Sequence, residues 1–145
     1  MRRKKETKNR RGFTLIELLI VMVILGLLAA LVGPRFFGQE KKARQKTAKS
    51  QIALFEAALD TYRLDVGRYP TSEQGLEALR TRPDGVDKWD GPYLRKEIPL
   101  DPWGNAYVYE SPSEHGDYAI ISHGADGSPG GEDIDQDVVS WKDID

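Results

Sequence analysis

From Leu18 to Gly33 the chain carries no charged or polar side chain, and the apolar run extends from Phe13 to Phe37 with only Glu17 and Arg35 as charges. At roughly 1.5 Å of rise per residue, about 20 helical residues cross a bilayer core, so this segment predicts a membrane-spanning helix over residues 13–36. Gly33-Pro34 interrupts it. Proline removes a backbone donor and crowds the preceding turn, which predicts a kink or local unwinding near Val32–Phe36. Helical periodicity then resumes over residues 37–66. Ala48, Ile52, Phe55, Leu59, Tyr62 and Val66 recur at alternating spacings of four and three, forming one apolar stripe that predicts packing against a core rather than a coiled coil. Lys41, Lys42, Arg44, Lys46 and Lys49 lie off that stripe and are expected to be solvated or to face a neighbouring subunit. Gly67 and Pro70 end the helix, which would run about 80 Å if unbroken from Phe13.

Residues 67–145 are punctuated instead by turn chemistry, including Tyr69-Pro70, Arg82-Pro83-Asp84-Gly85, Asp90-Gly91-Pro92 and Asp101-Pro102-Trp103-Gly104-Asn105. Thr71–Leu79 reads as a short helix capped by Thr71 or Ser72. Ala106–Glu110 and Asp117–Ser122, rich in Tyr, Val and Ile, read as a β-hairpin around Ser111–Gly116. So small a sheet needs the stem helix to cover its apolar face. The fold class is therefore α+β: a long N-terminal helix with a small head, in the shape of a lollipop.

Charge orients this arrangement. Residues 1–12 hold seven Lys/Arg against Glu6 alone, whereas the rest of the chain is net acidic and has seven acids within Asp126–Asp145. A basic head before an apolar span places the N-terminus in the cytoplasm and the body across the membrane, and it argues against nucleic-acid binding. The chain has no cysteine, which excludes disulfides, thiolate metal sites and thiol nucleophiles. A secretory signal peptide and a plain signal anchor both remain open on hydropathy alone. Glu17 bears on the choice. A carboxylate inside an apolar helix costs on the order of 2.5–3.5 kcal/mol on insertion scales, so it needs a partner or a function. Cleavage between Gly12 and Phe13 would create a cationic amine close to it. Lying near the headgroups, with some support from the helix dipole, is the simpler alternative.

Arg11-Gly12-Phe13-Thr14-Leu15-Ile16-Glu17 and the apolar run after it resemble the type IV prepilin and pseudopilin signature. The resemblance implies that a prepilin peptidase cuts after Gly12 and N-methylates Phe13. It also implies that Glu17 serves methylation or assembly by meeting a neighbour's Phe13 amine. Further along, Tyr69-Pro70-Thr71, Gly75-Leu76-Glu77-Ala78-Leu79, Gly91-Pro92-Tyr93-Leu94, Asp101-Pro102-Trp103-Gly104, Gly124-Ala125-Asp126-Gly127 and Trp141 occur in the order seen in the major pseudopilins of type II secretion. That family implies a homopolymeric periplasmic fibre assembled from the inner membrane. The implied partners are minor pseudopilins, an inner-membrane platform and the prepilin peptidase, and the implied role is promoting protein export across the outer membrane.

Asp126, Glu132, Asp133, Asp135 and Asp137 cluster among Gly124, Gly127, Gly130 and Gly131. Carboxylates and carbonyls without a soft donor suit Ca²⁺ more than zinc or copper, although a solvated acidic tail would have the same composition. An EF-hand is excluded, because Val138 and Ile144 stand where that loop requires Gly and Glu. The family resemblance implies a structural Ca²⁺ held by Asp126, with Asp133, Asp137 and the His123 carbonyl as further ligands. No catalytic constellation, phosphate-binding loop or nucleophile elbow is present, and His115 and His123 read as surface residues, so no enzyme is expected. Two rival readings are a type IV pilin and an anchored binding protein. Lack of cysteine and the acidic loop count against the pilin, and indifference to changes at Phe13 and Glu17 would mark the anchored protein.

Overall fold

Helix-forming residues without an internal stop produce a single long element. In a computed structural model that describes residues 12–144, apart from the side chains at 33–37, helix α1 runs over Leu15–Val66. The basic leader lies outside the described residues. The expected unwinding at Gly33-Pro34 does not occur, since helical backbone is continuous through both positions. One missing donor leaves the remaining hydrogen bonds of α1 to hold the turn. At the C-terminal end Gly67 takes φ +88° and donates its N–H to the Arg63 carbonyl at 2.8 Å, which is the left-handed helix stop that only glycine adopts cheaply.

The described chain divides into two compact units between Gly38 and Gln39. In the first, Leu15–Val32 has a mean hydropathy of 3.0 and none of it is buried within the chain. It is the one described helix long and apolar enough to cross a membrane.

In the second unit the predicted stripe is the core. Ala48, Ile52, Phe55, Leu59 and Tyr62 are essentially inaccessible to solvent, and Val66 packs half-buried at the edge. Across from them lie Leu76, Ala78, Leu79, Val86, Tyr109, Ile120 and Val138. Aromatic edges meet faces along this contact: Phe55 with Tyr107 at 5.1 Å between centroids, and Tyr62 with Tyr93 at 5.5 Å. Burial pushes the Tyr109 phenol up to about 12, and its hydroxyl donates to the Pro70 carbonyl at 2.9 Å. Tyr109 is therefore a fixed neutral donor at physiological pH.

The hairpin is present but shorter than expected, with β1 at Val108–Glu110 and β2 at Ala119–Ser122, paired antiparallel so that Tyr109 faces Ile120. A two-residue strand not anticipated from the sequence, β3 at Val138–Val139, pairs with the other edge of β2 and gives the order β1-β2-β3. The expected helix over Thr71–Leu79 is a run of turns leading to a 3₁₀ helix at Leu76–Leu79. The turns before it are closed by Thr71, whose hydroxyl accepts from Gln74 N–H (3.3 Å) while the Gln74 side chain accepts from Thr71 N–H (3.0 Å), and the 3₁₀ helix itself starts at Gly75 without a side-chain cap.

Because Phe55 is 1% exposed and makes the central aromatic contact, Phe55→Ala is expected to cost about 3–5 kcal/mol. A urea midpoint unchanged from the parent, measured on the folded domain, would contradict this placement of the core.

Candidate functional site

Two groups of residues carry the sequence-derived chemistry, one in each compact unit. At the start of α1, Phe13 is 87% exposed and Gly12 is exposed beside it. The next four residues form a reciprocal cap. Glu17 N–H donates to Thr14 Oγ1, and Thr14 N–H donates to a Glu17 carboxylate oxygen, each at 3.3 Å. Two backbone donors that the helix leaves unpaired are thereby satisfied, and the carboxylate sits at the positive end of the helix dipole. Glu17 thus has a partner within its own chain. The sequence signal was the Thr-x-x-Glu spacing directly before an apolar run, which the reading of Glu17 as an isolated charge overlooked.

The second group lies in the glycine-rich segment after β2. Gly124, Gly127, Gly130 and Gly131 all take positive φ, and Cβ atoms at Gly124 and Gly131 would lie 2.7 and 2.5 Å from backbone atoms of Asp135. Those two positions require glycine because the backbone closes on itself there. Asp133 also takes positive φ, at 61°, a conformation that Asp tolerates better than most residues.

The expected ligands are distributed through this segment. Asp126 Oδ1 accepts from Ser128 N–H at 3.0 Å, closing a turn of its own. Asp133 pairs with Lys41, and its carbonyl accepts from Gln45 Nε2 at 3.4 Å. Asp137 lies 3.2 Å from His123 Nδ1 through one carboxylate oxygen and accepts from Gly130 N–H at 2.9 Å through the other. Among the described residues no three His, Cys, Asp or Glu side chains are gathered closely enough to hold a metal ion. In this arrangement the donors are of the hard-oxygen type, and Asp133 already faces the Lys41 ammonium. His123, expected at the surface, is half-buried against Asp137, and His115 stacks on the Trp141 indole at 3.7 Å.

The structure also corrects the expectation for Lys41, Arg44 and Lys49, while Lys42 and Lys46 are exposed as expected. Lys41, Gln45 and Lys49 follow one another by one helical turn and all reach the C-terminal segment. Lys49 Nζ donates to the carbonyls of Val139 (2.8 Å), Ser140 (3.2 Å) and Lys142 (2.7 Å). Arg44 donates to the Pro102 carbonyl at 3.0 Å and pairs with Glu40. These side chains are spent inside the domain because the last strand ends against α1 with carbonyls that no neighbouring strand satisfies. Asp101, unremarked in the sequence beyond its turn, is buried and fully engaged. It accepts from Trp103 N–H and Asn105 N–H with one oxygen (3.0 and 2.8 Å) and from the Ser122 hydroxyl with the other (2.6 Å). Asn105 in turn donates to the Gly124 carbonyl at 2.9 Å, which ties the turn at residues 101–105 to the start of the acidic segment.

Known proteins match both groups. The family model described as "Type II secretion system (T2SS), protein G" matches residues 35–141, and that of the prokaryotic N-terminal methylation motif matches residues 7–33. The type II secretion system core protein G of Pseudomonas aeruginosa is 44% identical over 139 residues, covering 94% of this chain and 98% of its own. That of Pectobacterium carotovorum is 47% identical over 138 residues, covering 92% and 85%. A crystal structure of the major pseudopilin from the type 2 secretion system of enterohaemorrhagic Escherichia coli superposes with a TM-score of 0.61 at 40% identity. It covers 72% of this chain and 91% of the other.

Substituting Lys49 with Met removes one ammonium from three carbonyls while keeping much of its stem. Lys49→Met is expected to destabilise the domain by about 2–3 kcal/mol and to raise hydrogen exchange at Ile121 and Val139, which pair across β2 and β3. Unaltered exchange would mean that the ammonium does not hold the segment.

Proposed function

The chain belongs to the type II secretion system protein G family, and from that premise we propose that it is the major structural subunit of a type II secretion pseudopilus. The supporting observation is the pairing of a methylation motif with an apolar helix, Leu15–Val32, that finds no cover within its own chain. Such a helix has two apolar environments available, the lipid bilayer and other copies of itself. Moving from the first to the second loses little hydrophobic energy, which is what a subunit stored in a membrane and drawn into a fibre requires. The precursor is oriented by its basic leader with the C-terminal domain in the periplasm. Prepilin peptidase cuts between Gly12 and Phe13 and methylates the Phe13 amine. An inner-membrane platform then assembles the subunits, alongside minor pseudopilins, into a fibre that promotes export across the outer membrane. The chain's part is structural rather than catalytic.

Glu17 has two successive partners in this scheme. Before assembly its carboxylate caps α1 through Thr14 N–H. On assembly it exchanges that backbone donor for the Phe13 amine of a neighbour, a charged donor that binds a carboxylate more strongly than an amide does. Intact mass and N-terminal sequencing of protein from its native membrane test the pathway. The expected chain begins at N-methylated Phe13, and retention of Arg2–Gly12 would refute the processing. Glu17→Ala is expected to leave cleavage intact and to reduce sheared fibre yield severely; normal yield would remove Glu17 from assembly.

We also propose that Ca²⁺ binds in the acidic segment, with Asp126, Asp133, Asp137 and the His123 carbonyl as ligands. Support comes from the hard-oxygen donor set and from the glycines that allow carbonyls to turn inward. Since Asp133 pairs with Lys41 and Asp137 with His123 in the present arrangement, binding must displace both contacts. Calcium is then expected to raise the melting temperature of the parent domain and to leave that of Asp126→Ala unchanged. Equal melting of parent and variant with calcium and with a chelator would exclude the site.

A further inference from the structure

We propose that two exposed lysines early in the second unit, Lys42 and Lys46, dock on anionic phospholipid headgroups of the bilayer that holds the chain, an inference that rests on the membrane-stored role above. The charge pattern first marks the region as anomalous. Six of the fourteen Lys and Arg residues outside the leader fall within residues 35–49, where Glu40 is the one acid. All six follow Val32, the end of the apolar span, within seventeen residues. That flank is the one carried across the membrane behind the basic leader, and basic residues close to a span on its translocated side are disfavoured. Their presence there calls for a use.

The structure divides the cluster into committed and uncommitted charges. Lys41 pairs with Asp133, Arg44 with Glu40, and Lys49 donates to three carbonyls of the C-terminal segment. Lys42 and Lys46 are exposed, and neither has an acceptor among the described residues. Four residues apart, they stand one above the other on α1. They border two adjoining clefts between α1 and residues 136–144, whose other charges are Lys41, Lys49 and Lys142 against Asp137 and Asp143. Asp137 is already paired with His123. The clefts are therefore net positive, and Ile144 gives both an apolar wall. A lipid phosphodiester, an anion carried on an apolar body, complements that combination.

Reach agrees with this partner. Lys42 stands ten residues after Val32, about 15 Å by helical rise. The headgroup layer takes up about 5–7 Å of that distance. Side chains on an α-helix lean toward its N-terminus, so both lysine stems slant toward the end of α1 that carries the span. Their ammonium groups then lie within roughly the 8 Å over which charge is felt at physiological salt. Because the contact exists only at a bilayer surface, it favours the stored subunit and is given up on assembly.

The processed full-length chain in lipid nanodiscs tests this, with a nitroxide-headgroup phosphatidylcholine as paramagnetic probe. Amide signals of residues 42–50 are expected to lose about twofold more intensity in discs of equal parts phosphatidylcholine and phosphatidylglycerol than in phosphatidylcholine alone. The difference is expected to vanish at about 1 M salt, where screening shortens to about 3 Å, and in Lys42→Gln/Lys46→Gln. Both positions are exposed, so the double variant is expected to keep the parent's spectrum elsewhere. Equal attenuation in the two lipids, or a difference that survives in the double variant, overturns the docking and leaves the anchored reading standing. Shifts at Lys42 and Lys46 with inorganic phosphate, but none with phosphatidylglycerol, assign them to a soluble anion and overturn the lipid partner. A processed chain that does not insert into discs overturns both readings.

Discussion

The burial of one stripe of α1, from Ala48 to Tyr62, is the contact on which the rest of the domain depends. Three strands of three, four and two residues cannot sustain a sheet in water, since they bring too little apolar surface together to offset the entropy of ordering. Placed on Phe55, Leu59 and Tyr62, the same strands acquire a continuous core with Tyr109, Ile120 and Val138. The helix gains as well. An isolated amphipathic segment with so many lysines would be marginal, and tertiary packing supplies what propensity does not.

A second set of contacts follows from the first. Once the stripe faces the head, residues one turn apart on an adjacent line of α1 meet the C-terminal segment, and Lys41, Gln45 and Lys49 become its anchors. The segment between β2 and β3 is too acidic and too rich in glycine to pack by apolar burial. It is held by charge-assisted hydrogen bonds and by the Asp101–Asn105–Gly124 relay at its base.

The parts of this fold legible in the sequence were those governed by periodicity and by φ-restricted residues. The stripe was readable because six apolar positions keep one helical phase, and the helix end was readable because Gly67 stands after Val66. The methylation motif matched over residues 7–33 was readable because Gly12, Phe13 and Glu17 stand at its spacing directly before an apolar run. Strand β3 was not, because Val138-Val139 has no alternation of its own and becomes a strand only when β2 offers an open edge. Of the two alternatives at Pro34, a kink or local unwinding, the unwinding is absent because the hydrogen bonds on either side keep α1 helical through it. The engagement of Lys41 and Lys49 was missed because a lysine off the apolar stripe looks solvated until its partners, 90 or more residues away, are folded beside it.

The cap at Thr14 and Glu17 bears on how a charged residue persists in a segment that enters lipid. An unpaired carboxylate near membrane depth and two unpaired helix N–H groups are separate liabilities, each costly without water. The reciprocal bonds join them, so each removes part of the other's cost. The same arrangement keeps Glu17 available. Its bond to Thr14 N–H is long, at 3.3 Å, and uses one carboxylate oxygen, the other having no backbone partner among the described residues. Exposed beside it, Phe13 would carry the cationic terminus after cleavage. Under the proposed assembly role, a carboxylate that is tolerable alone but better satisfied by an amine would give the subunit a reason to leave lipid only when another subunit supplies that amine, and storage and assembly would be coupled through a single side chain.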